Sequence, residues 1–543
     1  MPGSQPIPAS SVPSLVTLGR FLMCNTLKSV SCQPLALPFA PRSTLTSRER
    51  QNGGCHLDNH LTTAQLDRAV GVLLASAAGD ALGAGYEFTT GDPNLEPLML
   101  RGIGNDAPGG WTDDTAQALA IANVAADGCN LRTSEALDRV AQGFADWFAD
   151  GPPDVGVQTA QVLRLAGRQP TGSQMTTAAA DVHQRTGRSA GNGSLMRTGP
   201  VALANLHDPK ALVEAAQAVS ALTHHDPLAG EGCAVWSLAI RHAVLTGELP
   251  TFDDIAEHVP NVDYWRDVFD EAERSHPSTF TANGWVVGAL QAAWSAINWQ
   301  PITGPGVNTR PLERGLVQAV RIGHDTDTVA AIAGQLLGAR WGASAVAARW
   351  RRMLHGWPGQ TSDDLERLAT LIVTAGEPLI YGWPLAGHID YTRFGGRFLV
   401  EHPHDPGVLL GSAPQLDDLP DDVDAVISLC LLGTEQVPDN LDHVTFRLID
   451  SGASSDNPNL DYVLTDIAQT VSDLRAEDKT VFLHCVRAES RTPTAAIAYS
   501  LQLGIPLDQA TADISDALEN SRPNLAFREA LVRLAEGTHC QPR

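Results

Sequence analysis

The sequence predicts a multidomain protein in which an all-α bundle is followed by an α/β domain. Three observations predict this organisation. At 543 residues the chain is too long for one hydrophobic core. From residue 61 to about residue 376 the pattern is helical, with Ala-rich segments and no sustained alternation of period two. After residue 401, short β-rich runs alternate with helical segments, which is typical of an α/β sheet.

Residues 1–58 are predicted to be disordered. Pro and Ser are frequent there, and Glu49 is the only acidic residue among the first fifty. The basic, Ser-rich composition also suits an organellar transit peptide, and a start codon assigned too far upstream is an equally good explanation. The run LVTLGRFLMC is too short and interrupted for the hydrophobic region of a secretory signal.

The composition excludes several classes of protein. A formal net charge of −25 argues against binding to the phosphate backbone of nucleic acids. No uncharged apolar run reaches the ~18 residues that a membrane span needs. The eight cysteines include no CxxC pair, which fits neither a zinc site nor a small disulfide-rich secreted domain. We therefore expect a cytoplasmic protein that binds neither nucleic acid nor membrane.

The helical domain is predicted over residues 59–380. Its first helix begins with a capping box of Thr62 and Gln65 and continues as LDRAVGVLLASAAGDALG, where small residues let another helix approach closely. Around residue 380 the composition shifts to Gly and aromatic residues, so residues 381–400 are predicted to be a linker. The second domain is then expected over residues 401–543.

Two predicted helix starts carry doubled carboxylates flanked by threonines, in WTDDT and GHDTDT; the residues concerned are Thr112, Asp113, Asp114, Asp325, Asp327 and Thr328. Helix capping is one explanation, worth roughly 0.5–2 kcal/mol, but a cap needs only one side chain. If the two clusters meet in space, their four carboxylates repel one another unless cations lie between them. Oxygen-only ligands select hard ions, so we expect two Mg²⁺ or Mn²⁺ ions about 3.5–4 Å apart.

Three further stretches, GDALGAGYEF, GNGSLMRTGPVAL and SALTHHDP, occur in order with these two motifs. Together the five motifs closely resemble the ADP-ribosylglycohydrolase family, whose bacterial type member reactivates dinitrogenase reductase. The resemblance implies a bacterial-type enzyme, an all-α bundle with a dinuclear Mg²⁺ or Mn²⁺ centre. It also implies hydrolysis of the bond between ADP-ribose and a protein side chain. The expected partner is therefore an ADP-ribosylated protein or another ADP-ribose conjugate.

The family's metal ligands map onto the six residues of the two clusters, and Glu87 matches the acidic residue beside the metals. Glycosidic cleavage needs a negative field and an activated water, so we expect Glu87 or Asp114 to accept the proton of the water. The residues expected to bind substrate are Asp154, Asn192, Gly193, Ser194 and His224. For the turn at Gly193 an ordinary tight turn is the alternative, and for His224 a structural histidine. Asp154 opens DVGVQTA, in which Val157 stands where the family commonly has Asn.

In TVFLHCVRAESRTPTAAIAYSLQLG an apolar strand leads to Cys485, and Arg491 and Thr492 follow at the start of a helix. Successive backbone amides and a helix N-terminus make an anion cradle, Arg491 can clamp phosphate oxygens, and the same field favours a nucleophilic thiolate. This loop resembles that of the dual-specificity protein tyrosine phosphatases. The resemblance implies Asp450 as the general acid, with Asp456 as the alternative, and Thr492 as the hydroxyl that assists departure of the thiolate.

The second loop also departs from that family, because Ala488 stands where many members have glycine and Glu489 adds a negative charge beside Arg487. An active second site would make a phosphoprotein a further partner. The alternative to a two-domain enzyme is a signalling protein that binds ADP-ribose and phosphate with one or both catalytic sites inactive. The intact acidic clusters favour catalysis, whereas the altered DVGVQTA and VRAES loops favour binding.

Overall fold

The computed structural model describes residues 61–104, 107–299 and 311–538. The segment predicted to be disordered, residues 1–58, lies outside the described residues. Residues Asn59–Arg543 belong to one compact unit, in which helices come first and a five-stranded sheet with its own helices follows. The predicted order of a helical region and an α/β region is confirmed.

The bundle is built from helices that precede the sheet: α1 (Thr63–Gly83), α2 (Asp113–Ala126), α3 (Ser134–Ala149), α4 (Val157–Ala166), α5 (Gly172–Thr186), α6 (Gly199–Ala204), α7 (Pro209–Ala221), α8 (Pro227–Thr246), α9 (Phe252–Ile255), α10 (Val262–Arg274), α11 (Val286–Asn298), α12 (Pro311–Arg321), α13 (Thr326–Trp341), α14 (Ala348–Arg351) and α15 (Ser362–Val373). A short antiparallel hairpin, β1 (His355–Gly356) and β2 (Gln360–Thr361), lies between α14 and α15.

Helices α1 and α13 form the centre of the bundle. The predicted capping box opens α1, because Gln65 N donates to Thr62 Oγ1 at 3.2 Å and Thr62 N donates to Gln65 Oε1 at 2.9 Å. The two helices touch through their backbones, and a Cβ atom added to Gly79 would overlap the carbonyl of Ala330. The close approach predicted from the small residues of α1 is therefore confirmed. It brings Gly83, near the end of α1, against the backbone of Asp327 at the start of α13.

One helical segment among the described residues, Thr63–Tyr86, is long and apolar enough to cross a membrane by length and composition. Most of its apolar window, 89%, is buried inside the protein. The core helix of a soluble protein and a membrane span both pass this test.

The sheet has the strand order β3-β4-β7-β5-β6, with β3 antiparallel to β4 and the other pairs parallel. Its strands are β3 (Leu399–His402), β4 (Asp405–Ser412), β5 (Ala425–Ser428), β6 (Asp442–Thr445) and β7 (Val481–Cys485). Helices α16 (Leu460–Ala476), α17 (Arg491–Gln502), α18 (Leu507–Ala517) and α19 (Leu525–Thr538) contribute to one apolar core beside it. The stretch expected as a linker, residues 381–400, supplies Trp383, Ile389 and Tyr391 to a second apolar core with strand residues.

A buried cation links the bundle to the α/β part. Arg447, which follows β6, forms ion pairs with Asp67 of α1 at 3.4 Å and with Glu366 of α15 at 2.5 Å. Burial raises the pKa of Asp67, and Arg447 opposes that shift. Nearby, the backbone amide of Ala348 donates to Asp466 of α16 at 2.8 Å. The two parts are therefore joined by polar contacts that are shielded from water.

Candidate active site

An acidic cluster lies where the end of α1 meets the starts of α2 and α13. Two groups of three carboxylates have oxygen atoms within 4.8 Å of one another, and Asp327 belongs to both. The first group is Asp80, Asp114 and Asp327, and all three are buried. The second is Glu87, Asp154 and Asp327. Carboxylates far apart in the chain thus converge on two adjacent positions that share one side chain.

Asp113 and Asp325 lie beside these groups and are held by amide side chains. Gln117 Nε2 donates to Asp113 Oδ2 at 2.9 Å, and Asn192 Nδ2 donates to Asp325 Oδ2 at 2.7 Å. Burial raises the pKa of Asp113 to about 8, and Asp154 adds to this shift. The two side chains are therefore oriented within the same negative field as the carboxylate groups.

Helix capping does not explain the doubled carboxylates at the start of α2. The backbone amides of Thr112 and Thr115 donate to Asp80 of α1, at 2.9 and 3.0 Å. The donors at this helix start are therefore satisfied by a carboxylate from another helix. Asp113 and Asp114 are left available to the cluster.

The threonines that flank the doubled carboxylates contact the cluster through their hydroxyls. Thr112 Oγ1 lies 2.9 Å from Asp80 Oδ1 and 3.0 Å from Asp114 Oδ2. Thr328 Oγ1 lies 3.5 Å from Asp114 Oδ2. Both hydroxyls therefore lie close to Asp114, between the two helix starts.

The cluster is electrostatically unfavourable without a cation. Burial raises the pKa of Asp80 to about 6. Burial and the neighbouring Asp154 raise the pKa of Glu87 to about 8. The pKa values of Asp114 and Asp327 are raised well above the usual range by burial and then by neighbouring carboxylates. Asp114 Oδ1 is buried and has no hydrogen-bond partner among the described residues. An all-oxygen donor set with an orphaned carboxylate oxygen fits hard divalent cations.

The turn at 191–194 lies beside the cluster, but its side chains are not free. Asn192 Nδ2 also donates to the carbonyl of Asn283 at 2.9 Å, so this amide supports Asp325. The hydroxyl of Ser194 is buried and accepts from Ser220 Oγ at 2.9 Å. A Cβ atom on Gly193 would lie 3.4 Å from His224 Nε2, so the imidazole lies against this turn. The backbone of the turn, and not its side chains, is what remains for a ligand.

His224 is connected to the cluster through Arg197, which is fully buried. Arg197 donates to Gln117 Oε1, whose amide holds Asp113, and to Thr223 Oγ1 at 2.6 Å. The Thr223 hydroxyl lies 2.7 Å from His224 Nδ1. Burial, with Arg197, lowers the pKa of His224 to about 3, so the imidazole is neutral. One buried cation therefore orients groups on both sides of the site.

Sequence reasoning missed Asp80, Asn283 and Arg197. Asp80 lies inside the quoted stretch GDALGAGYEF, and an acidic residue in the middle of an apolar, small-residue helix was the available signal. Arg197 likewise lies inside the stretch GNGSLMRTGPVAL. Asn283 carried no local signal, although its Oδ1 accepts from Asp325 N at 3.3 Å and its Nδ2 donates to Gly323 O at 3.0 Å.

Exposed apolar side chains lie next in the chain to residues of this site. Phe88, which follows Glu87, is 74% exposed, and Val157, three residues after Asp154, is 76% exposed. Trp285 is 43% exposed, and its neighbour Gly284 lies near Asp325. Val157 thus places an apolar group in solvent at the start of α4.

The loop after β7 contains the predicted nucleophile. Cys485 ends β7, Arg491 begins α17, and Ala488 between them has a φ of 56°, a left-handed conformation that favours glycine. Arg491 Nη1 donates to the carbonyl of Leu429 at 2.6 Å. Among the described residues, Arg491 Nε and the hydroxyl of Thr492 are buried without hydrogen-bond partners. The loop thus has the strand-turn-helix geometry of an anion cradle, with donors left over.

The structure brings Asp450 to this loop. Its Oδ1 accepts from Ser490 Oγ at 2.7 Å and from Asn524 Nδ2 at 3.1 Å. Asp456, the alternative acid, ends a short 3-10 turn at Ser454–Asp456. Glu489 forms an ion pair with Arg487 at 2.6 Å, so its charge is balanced within the loop.

The model of the ADP-ribosylglycohydrolase family matches residues 61–378, which hold the acidic cluster. The chain is 30% identical over 295 residues to the ADP-ribosyl-(dinitrogen reductase) glycohydrolase of Rhodospirillum rubrum, covering 52% of this chain and 89% of that protein. It is 28% identical to the ADP-ribosylarginine hydrolase Tri1 of Pseudomonas putida strain GB-1, and the match covers 52% of this chain and 73% of that protein.

Two solved structures are also similar to parts of the chain. An ADP-ribosylglycohydrolase-related protein complex is 26% identical with a TM-score of 0.44, covering 58% of this chain and 100% of that chain. Human DUSP28 is 18% identical with a TM-score of 0.23, and the match covers 26% of this chain and 95% of that chain. The family match spans more than half of the sequence. The chain therefore belongs to the ADP-ribosylglycohydrolase family.

Proposed function

We propose that this protein is a metal-dependent hydrolase that removes ADP-ribose from modified protein side chains or from related ADP-ribosyl conjugates. The observation that carries the proposal is the pair of carboxylate groups that share Asp327. They lie within the residues that match the family. Relatives named for ADP-ribosyl-(dinitrogen reductase) and for ADP-ribosylarginine support ADP-ribosyl groups as the substrate class.

Two divalent cations, Mg²⁺ or Mn²⁺, fit the carboxylates of the cluster. The residues proposed to hold them are Thr112, Asp113, Asp114, Asp325, Asp327 and Thr328, with Asp80, Glu87 and Asp154 beside them. Bound divalent cations supply Lewis acidity and lower the pKa of a bound water, which suits hydrolysis of a glycosidic bond.

Glu87 is the carboxyl best placed to carry a proton during hydrolysis. It lies with Asp154 and Asp327 in one of the two carboxylate groups, and its side chain is only partly buried. Asp114 is the other candidate for accepting the proton of the water, but it is 1% exposed and lies next to the hydroxyls of Thr112 and Thr328. A proton acceptor must reach the attacking water, so the geometry favours Glu87.

The turn around Gly193 is proposed to hold the pyrophosphate through its backbone amides, as small residues there allow close approach. The neutral imidazole of His224 packs against this turn and fixes its position. The Ser194 hydroxyl is buried and hydrogen-bonded to Ser220, so only the backbone of Ser194 is assigned to ligand binding.

The test is release of ADP-ribose from ADP-ribosyl-arginine and ADP-ribosyl-serine substrates, with and without Mg²⁺ or Mn²⁺. Asp113→Asn and Asp325→Asn are expected to abolish the cation-dependent release. Undiminished release by either variant would overturn the assignment. Binding of ADP-ribose without turnover by the unaltered chain would favour the binding-protein alternative.

We propose a second activity, hydrolysis of phosphate esters at Cys485. The contact between Ser490 and Asp450, together with the unpartnered Nε of Arg491, favours it. The Cys485 thiolate forms a bond to phosphorus as the ester P–O bond breaks, and Asp450 gives its proton to the leaving alcohol. Water then attacks phosphorus and gives a proton to the Asp450 carboxylate, so the S–P bond breaks and inorganic phosphate and the Cys485 thiolate are released. Cys485→Ser is expected to abolish hydrolysis of an aryl phosphate, whereas Cys129→Ser, in the bundle, is expected to retain it.

A further inference from the structure

A cavity of about 270 Å³ lies between the helical bundle and the α/β part. The bundle contributes Leu66 of α1 and Asp363 and Arg367 of α15 to its wall. The α/β part contributes Cys430, Phe446 and Arg491. Both parts are therefore needed to form it.

The cavity borders the loop that carries Cys485. In the parallel sheet Ser428 of β5 is paired with His484 of β7, and Leu429 N donates to His484 O at 2.9 Å, so Cys430 and Cys485 leave the same sheet edge. Burial raises the pKa of Cys430 to about 12, and the neighbouring Arg491 and Cys485 modify this shift. The wall residue Cys430 thus lies next to both functional groups of the loop.

Arg491 is a cation in this wall with bonding capacity left. Its Nη1 is held by the carbonyl oxygens of Leu429 and Leu448, but its Nε is buried without a partner among the described residues. Arg447 is already paired with Asp67 and Glu366. A guanidinium with a free N–H at a helix start is suited to a phosphate oxygen.

The remaining titratable groups of the wall add little net charge. Arg367 lies 3.8 Å from Asp364, and Glu366 is paired with Arg447. Burial raises the pKa of Asp363 to about 6 and lowers that of His443 to about 4, so His443 is neutral. An anion in the cavity would therefore be attracted by Arg491 and, from the side of the bundle, by Arg367.

The size of the cavity limits what can enter. Small-molecule sites commonly occupy about 300–1,000 Å³, so a volume of about 270 Å³ suits a single phosphate ester with a compact organic group. Helices α1 and α15 are held in place as its wall by the buried pairs of Arg447 with Asp67 and Glu366.

We propose that this cavity is a binding site for a small phosphomonoester, and that the bundle forms part of the site. The proposal rests on the second activity proposed above and narrows its substrate class from phosphoproteins to small soluble phosphate esters.

The test uses the full chain with Cys485→Ser, which prevents turnover, in calorimetric titrations with phenyl phosphate and with a phosphotyrosyl peptide. Phenyl phosphate is expected to bind at least about tenfold more tightly than the peptide. Equal or tighter binding of the peptide, or binding of neither ligand, would overturn the proposal. Turnover of para-nitrophenyl phosphate by the unaltered chain is measured separately. If no turnover is seen, the proposed phosphatase activity is wrong, whereas the binding proposal is judged by the titrations alone.

A second pair of variants tests the wall contributed by the bundle. Arg367→Glu, added to Cys485→Ser, places a negative charge beside the ligand and is expected to weaken phenyl phosphate binding at least about fivefold. Arg185→Glu is the matched control, because Arg185 also pairs with a helix neighbour, Asp181 at 3.6 Å, but does not line the cavity. Should Arg367→Glu fail to fold, Arg367→Gln is expected to weaken binding less. Equal affinity in the Arg367 and Arg185 variants would show that the bundle is no part of the site.

Discussion

Asp80 Oδ1 accepts hydrogen bonds from both the backbone amide and the hydroxyl of Thr112, each at 2.9 Å. Its Oδ2 accepts from the amide and hydroxyl of Thr115, at 3.0 and 2.6 Å. A single carboxylate of α1 thus satisfies the start of α2 and sets the position of the doubled carboxylates that follow Thr112. Asp80 is therefore a positioning residue as well as a neighbour of the proposed cations.

Asp80→Asn is expected to lower both stability and ADP-ribose release. An amide nitrogen cannot accept hydrogen bonds, so one pair of donors on α2 is left buried and unsatisfied, which costs about 1–3 kcal/mol. Asp138→Asn is the control, because Asp138 Oδ1 accepts from Gly172 N at 2.7 Å at the start of α5. Melting temperatures and initial rates of ADP-ribose release are measured for both variants, and only Asp80→Asn is expected to lose activity beyond its loss of stability. If both variants lose the same fraction of activity, Asp80 has no special role at the site.

The stabilising effect of Mn²⁺ or Mg²⁺ is expected to grow with pH. The folded-state pKa values of Asp80, Asp113 and Glu87 are raised to about 6, 8 and 8, above the usual value of about 4. An acid whose pKa is raised by folding holds its proton more tightly in the folded state. Its contribution to the free energy of unfolding is fully present below about pH 4 and is lost as the pH rises through about 8. Cations bind the ionised forms and offset that loss.

This pH dependence is measured as the difference in melting temperature between cation-loaded and chelator-treated protein, from about pH 5 to about pH 8. The difference should widen with pH in the unaltered chain. Asp327→Asn, which removes the carboxylate common to both groups, should narrow it. A difference that stays constant with pH would contradict the proposed coupling.

Arg197→Lys is expected to reduce ADP-ribose release by about tenfold. An ammonium cannot hold Gln117 and Thr223 at once in the fork geometry of a guanidinium, so Asp113 and His224 lose their orientation. The apparent affinity for Mn²⁺ should fall with the rate, which a purely structural role would not predict. Arg241→Lys, at a half-buried arginine that donates to Leu206 O at 2.7 Å, should leave that affinity unchanged.

Ala488→Gly is expected to stabilise the α/β part modestly. A non-glycine residue at a φ of 56° carries a local penalty of about 1 kcal/mol, which glycine removes at some cost in chain entropy. Ala498→Gly, in the middle of α17, should instead destabilise by about 1 kcal/mol. Urea titrations compare the two, and destabilisation by Ala488→Gly would show that the loop is not strained.

The order of the helical and α/β regions, the capping box at Thr62 and the close approach of α1 were predictable, because each follows from local spacing or residue size. Asp80 was not assigned, because its partners on α2 lie more than thirty residues away. Nor could the sequence show that Asn192 donates to Asp325, since that contact joins residues 133 positions apart. Contacts of this kind depend on the packing of α2, α11 and α13, which no local pattern encodes.

Arg447 has a consequence for how the chain can be divided. A fragment ending at residue 378, where the family match stops, would keep Asp67 and Glu366 but lose the guanidinium between them. Two inward-facing acids would then repel each other, and the surface that α/β residues now cover would meet water. Excised alone, the bundle should therefore melt at a lower temperature than the whole protein.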